Sequence, residues 1–399
     1  INSPWFNPVA KHAFNVGYDM NHESPATQEF VNRVINHWLV NYKIDGFRWD
    51  LSKGFTQTQT CDNNGANCNV GSWNSYDQSR VDIWKKYNGY MQAAASGSYC
   101  ILEHLGDNPE EKILADNGMM PWGKMTTAYN QTTMGFTTDS DLGYGFYKNR
   151  GWVNPYLVTY MESHDEERLQ YKNSRFGNNT NGSYNVRLLT NGLKRDAMAA
   201  ALFLVQPGPK MIWQFGELGY DNSIFRCPDG TVPEPYGAIG ADRCKTDPKP
   251  ILWGYYQNAE RKALYDVYSK LMRLRNYPAY LSTFTDAITN DDNMGGLVKW
   301  FSASTDNLRI LAVGNMDINA QTATVTFPAA GTWYNYLTGG TINLSSQSYT
   351  FTLQPGEYYV YTDRDANTAL PLNWLSFKAE KTADKKVLLK WSTSDEINT

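Results

Sequence analysis

The chain has 399 residues, 41% hydrophobic and 19% charged, and its 36 basic and 40 acidic side chains leave it at net −4. That balance is globular and excludes a nucleic-acid reader that works through a basic surface. The longest purely apolar run, 197–205, is far short of the roughly 20 residues that span a bilayer.

The period of apolar residues predicts a helix over 26–43, with Phe30, Val31, Val34, Ile35, Trp38 and Leu39 on one face after a Ser24-Pro25 start. Residues 44–49 then read as a buried strand ending in Asp50. The pattern repeats with a helix over 81–95 and a strand over 99–102 ending in Glu103. A strand near 124–129 follows, then a strand over 156–161 ending near His164 and Asp165. A helix over 193–205 and a strand over 210–215 ending in Glu217 complete the series. Alternating strands and helices indicate an α/β parallel sheet with crossovers. Polar residues gather after the strand ends, where α/β barrels hold their chemistry.

Beyond about residue 275 the texture becomes short, β-rich and turn-punctuated, at 298–301, 309–315, 323–327, 331–337, 348–353 and 357–361. This predicts an antiparallel sandwich. A linker-like stretch at 362–371 precedes two more strands, 374–379 and 386–392. The expected organisation is a barrel over 1–275, a β-sandwich over 276–363, and a linker with the start of another β module over 364–399.

Five cysteines add a compartment signal. Cys61 and Cys68 lie in one polar loop, Cys227 and Cys244 bracket another, and Cys100 sits in an apolar run. Two local disulfides and an oxidising, extracellular setting are expected, with Cys100 a buried free thiol. A four-cysteine zinc site is the alternative, although CxxC spacing is absent. No basic stretch leads into an apolar one at the start, so no signal peptide is visible; either one was removed or the chain is a piece of something longer.

The strongest chemical constellation is Asp50, Glu103 and Asp165, each following an apolar β-run. One β/α unit of a barrel takes roughly 30 residues. The gap from Glu103 to Asp165 therefore fits two units, and that from Asp50 to Glu103 fits one unit carrying the inserted cysteine loop. Three carboxylates would meet at one mouth. Glycosidic cleavage needs an acid for the leaving oxygen and a carboxylate that attacks or activates water. Any one of these acids alone is more simply a solvated loop residue; the set is not. Arg48, two residues before Asp50, shares its face of the strand and would keep it ionised. Aromatics near the mouth, Trp49, Trp73, Trp152 and Tyr160, could stack on sugar rings or equally fill the core.

GFRWDLSK at 46–53, ILEHLGD at 101–107 and YMESHDEER at 160–168 resemble three signature regions of the α-amylase family of glycoside hydrolases. QPGPKMIWQFGELGY at 206–220 resembles the family's last barrel strand, and the likeness runs from about residue 1 to 361. It implies a (β/α)8-type barrel, a C-terminal β-sandwich, and an α-glucan substrate such as starch. It implies Asp50 as nucleophile, Glu103 as general acid and base, and Asp165 as stabiliser of the distorted sugar ring. Arg48 would orient Asp50, His164 would contact the sugar, and Lys53 and His104 would contact the leaving-group side. Retention of configuration would follow.

The sequence also departs from the family. The Asp-x-x-x-Asn-His motif of the third barrel strand is not found, and only strands four to eight are recognisable. The chain therefore reads as an internal fragment of a longer secreted enzyme. No cofactor is needed for the chemistry, a structural calcium is possible without identifiable ligands, and no metal residue is assigned. Residues 370–399 are similar to the start of fibronectin-like modules of bacterial surface enzymes. A transglycosylase of the same family, or a glucan-binding fragment without catalysis, are the alternatives.

Overall fold

The computed structural model describes residues 3–15, 17–233, 243–286, 288–366, 373–382, 384 and 386–394. The expected linker at 362–371 lies partly outside them.

Five parallel strands form one sheet in the order β1 (Gly46–Trp49), β2 (Tyr99–Leu102), β3 (Met120–Lys124), β4 (Val158–Tyr160) and β5 (Lys210–Met211). This is a half-barrel, in agreement with the α/β expectation. Alternation along the strands separates its two faces. Cys100 and Leu102 pack outward against Val31 and Ile35 of the helix Pro25–Asn36 and against Val81, Trp84, Tyr87 and Met91 of the helix Gln78–Ala94. Ile101, Met120, Trp122, Val158, Tyr160 and Met211 meet on the other face.

Several boundaries differ from the expectation. The helix begun by Pro25 ends at Asn36 and passes into a π-helical turn, His37–Asn41. Phe30 and Trp38 are exposed, because only the Val31–Ile35–Leu39 stripe faces the neighbouring helix. The strand expected near 124–129 lies earlier, at Met120–Lys124, and Thr126–Met134 is a helix. That helix buries Thr126, Ala128, Tyr129, Asn130, Thr132, Thr133 and Met134. Burial of all but the Thr127–Gln131 edge weakens the period by which a helix is recognised, and its threonines favour a β reading. The last strand keeps only Lys210 and Met211, paired with Thr159 and Tyr160.

The sandwich is present. Its strands are β6 (Thr289–Asn293), β7 (Val298–Ser304), β8 (Arg309–Asn315), β9 (Gln321–Thr326), β10 (Gly331–Asn335), β11 (Thr341–Leu344), β12 (Ser348–Leu353) and β13 (Tyr358–Thr362). One sheet runs β11-β10-β13-β8-β7-β6 and the other is the pair β12-β9. Val313, Val325, Phe327, Trp333, Phe351 and Leu353 fill the space between them. β6 and β11 escape sequence reading because TNDDN is wholly polar and TINL is only four residues long. Asn373–Lys381 and Val387–Ser394 form an antiparallel hairpin. Both expected disulfides are formed and Cys100 is buried and free, which leaves the four-cysteine zinc alternative without ligands. Among the described residues no helix is long and apolar enough to cross a membrane.

Candidate active site

The register of β1 and β2 builds the first half of the site. Trp49 stands opposite Leu102, so Asp50 and Glu103 are the next residues on neighbouring strands. The strands approach so closely that a Cβ on Gly46 would sit 2.2 Å from the Tyr99 carbonyl oxygen. Leu51 then turns with φ 42°, in the left-handed region. That turn points the Leu51 N–H at Glu103 Oε2 (3.0 Å) and the Ser52 N–H at the Glu103 carbonyl (3.0 Å). Non-glycine residues rarely adopt this conformation, and such strain gathers where surrounding structure enforces a site.

Arg48 projects between the two acids. Its Nη1 pairs with Asp50 Oδ1 and its Nη2 lies 2.9 Å from Glu103 Oε2. The guanidinium stacks 4.3 Å from the Trp122 ring centroid. The acids differ in solvation: the Asp50 side chain is 79% exposed and that of Glu103 13%. Burial pushes the Glu103 carboxyl above its ordinary range; the Leu51 N–H and Arg48 oppose the rise, and Asp50 adds to it. One acid is thus solvated beside a cation, while its neighbour is biased toward holding a proton.

The loop after β4 supplies Asp165. Buried Glu162 closes this loop by accepting the Leu169 N–H at 2.6 Å. A Cβ on Gly216 would sit 2.3 Å from Glu162 Oε2, so the loop after β5 must pass here without a side chain. Glu167 ties the loop outward, through Ser223 Oγ (2.5 Å) and the Ile224 N–H (3.0 Å). Asp165 Oδ2 lies 3.2 Å from His164 Nε2, and Asp165 Oδ1 lies 2.6 Å from Lys245 Nζ. Partial burial works to raise the Asp165 carboxyl, but the Lys245 hydrogen bond and the charges of His164, Lys245 and Lys124 hold it below the ordinary range. Trp122 joins the two halves, since Arg48 stacks on it and the His164 ring meets it edge-on at 6.3 Å.

Asp50, Glu103, Asp165, Arg48 and His164 therefore gather at one end of the sheet. Lys53 and His104, expected as substrate contacts, lie beneath it instead. Lys53 Nζ donates to Asn74 Oδ1 (2.5 Å) and the Leu105 carbonyl (2.8 Å). His104 is 1% exposed, with Ser52 Oγ at 3.0 Å on Nδ1 and Glu110 Oε1 at 2.6 Å on Nε2. Burial lowers the pKa of each. Trp73, Trp152 and Tyr160 are core residues, and Trp49 packs against Trp84. Their sugar-stacking reading gives way to packing.

Trp122, Lys245 and Glu162 are residues that sequence reasoning missed. Placing β3 four residues earlier would have put Trp122 on the inner face. A groove of about 570 Å³ runs on from Trp122 between Leu105, Lys124, Tyr144 and Arg150. Asp19 accepts from Asn7 Nδ2 and the Lys11 N–H. Among the described residues no three His, Cys, Asp or Glu are grouped to hold a metal ion.

The family model for the alpha amylase catalytic domain matches residues 11–283. No curated protein matches the chain. Among solved structures, AmyP in complex with maltose aligns at 14% identity and TM-score 0.60, over 85% of this chain and 68% of that one. The α-amylase from Geobacillus thermoleovorans complexed with acarbose aligns at 13% and 0.57, over 91% and 72%. Pullulanase from an Anoxybacillus species, complexed with maltotetraose, aligns at 13% and 0.57, over 88% and 48%. At these identities the structural likeness speaks to fold.

Proposed function

Because the chain belongs to the α-amylase family of glycoside hydrolases, we propose that it cleaves α-1,4-glucosidic bonds of starch-like glucans with retention of configuration. Asp50 attacks the anomeric carbon while Glu103 passes its proton to the departing glycosidic oxygen. The sugar is left on Asp50 as a covalent ester. Glu103, now a carboxylate, takes a proton from water; that water attacks the anomeric carbon and frees Asp50. Asp165 and His164 hold hydroxyls of the distorted ring, and the groove beyond Trp122 takes the leaving chain.

One observation carries this reading: a single guanidinium lies between a solvated carboxylate and a half-buried one of raised proton affinity. That is the division of labour that a nucleophile and a general acid need. Maltose and maltotetraose bound by structural neighbours support the substrate class. The two disulfides support an extracellular location.

The test is reducing-sugar release from soluble starch by the full chain and by Glu103→Gln, with the first-formed anomer read by proton NMR. Release of α-anomers that is lost in Glu103→Gln is expected. First-formed β-anomers, undiminished release in Glu103→Gln, or a folded chain that releases no sugar would each overturn it.

A further inference from the structure

Lys245, far along the segment that joins β5 to the helix Ala259–Asn276, reaches back to Asp165, with Nζ 2.6 Å from Oδ1. It follows Cys244 directly, and Cys244 is bonded to Cys227. The turn that carries it is built. Lys249 Nζ donates to the carbonyls of Cys244 (2.6 Å), Lys245 (3.3 Å) and Asp247 (2.8 Å). At the other end of the disulfide, the 223–224 segment is tied by Glu167 to the loop that carries Asp165. The two chain segments bearing Asp165 and Lys245 are thus held at both ends, with the disulfide between them.

We propose that Lys245 is a positioning residue for Asp165, delivered by the Cys227–Cys244 bridge. Its ammonium fixes Asp165 Oδ1 while His164 flanks Oδ2, so the carboxylate is oriented before a sugar arrives. With Asp165 40% exposed, lone pairs stay open to sugar hydroxyls. The role of Asp165 rests on the proposed hydrolase reading; the placement of Lys245 does not.

The placement is tested on the protein alone through linkage. If the pair and the disulfide support each other, breaking either weakens the other by the same factor. The full chain is equilibrated at pH 7 in glutathione buffers, where one protein disulfide and two glutathione thiols give two protein thiols and one oxidised glutathione. Thiols are assigned by mass after alkylation. Lys245→Met is expected to make Cys227–Cys244 easier to reduce by about two- to fivefold, the range of a partly exposed ion pair. Asp165→Asn should give the same shift, the double variant no more than either, and Lys245→Arg should restore most of it. Cys61–Cys68 serves as the internal control. No shift, additive shifts, or an equal shift at Cys61–Cys68 would overturn the proposal.

The catalytic consequence is read separately. Lys245 favours ionised Asp165, so Lys245→Met should move the acid limb of starch hydrolysis to higher pH, with Lys245→Arg near the native profile. An unmoved limb in a chain that shows the redox linkage would remove the positioning role. If no form of the chain released sugar, the hydrolase reading would fail while the redox cycle still decided where Lys245 belongs.

Discussion

Arg48 faces two acids at once, and its charge sets how they share protons. It opposes the burial that raises Glu103 and pairs with Asp50. A general acid works only while protonated, so activity should fall as pH rises through the raised Glu103 pKa, above the ordinary carboxylate range. Arg48→Met removes the opposing charge, and the Glu103 pKa climbs further. The alkaline limb should therefore move to higher pH, with kcat/KM down by about a hundredfold or more, the scale of losing preorganised electrostatics. Arg48→Lys keeps the charge but cannot reach both acids with one planar fork, so it should hold the limb better than the rate. A pH series of initial rates checks both. An alkaline limb that moves down would show that Arg48 does not act on Glu103.

A second layer of elements holds those residues in register, and it rests on buried charge. Arg80 of the helix Gln78–Ala94 grips Glu110 with Nε at 2.5 Å and Nη2 at 2.8 Å, and His104 closes on the same carboxylate. Burial would raise Glu110, but His104 and Arg80 bring it down to about 2. A carboxyl depressed on folding contributes stability at pH above its unfolded value near 4.5, and loses it as pH falls toward about 2. Acid unfolding should steepen across that window. Glu110→Gln should flatten it and cost about 3–5 kcal/mol at pH 7, because Arg80 is left buried without its counter-charge. Urea unfolding at pH 7 and pH 3 measures both. This network also marks where sequence reading stopped. That Asp50, Glu103 and Asp165 gather at one end of the sheet is legible, because each follows an apolar strand. The resemblance assigns His104 to substrate, and no sequence pattern shows that Glu110, one turn into the next helix, and Arg80, on another helix, close on it beneath the site. Lys245 was illegible for a similar reason: no periodic pattern places a residue that arrives through a disulfide.

The half-barrel and the sandwich are tied together by the same apolar run that is too short to span a membrane. The helix Leu189–Leu204 is apolar all round at its end because it is covered on all sides. Its alanines and Met198 share one core with Phe301, Ile310, Ala312 and Val360 of the sandwich and with Leu264, Leu271 and Leu274 of the helix Ala259–Asn276. The fit is close: a Cβ on Gly314 of β8 would sit 2.6 Å from Met198. Arg195 bonds across the junction, donating to the Thr132 carbonyl at 2.8 Å and to the carbonyls of Thr133 and Met316. We therefore place the half-barrel and the sandwich, for which residues 275 and 276 are the proposed boundary, in one cooperative unit. Arg195→Met leaves carbonyls unpaired in a dry interior, at about 1–3 kcal/mol each. Calorimetry should show a single transition for this unit, moved down by several degrees in the variant but not split. A sandwich that melts separately, unmoved while the rest shifts, would show that the shared core does not couple them. In that case residue 276 begins a domain that stands on its own.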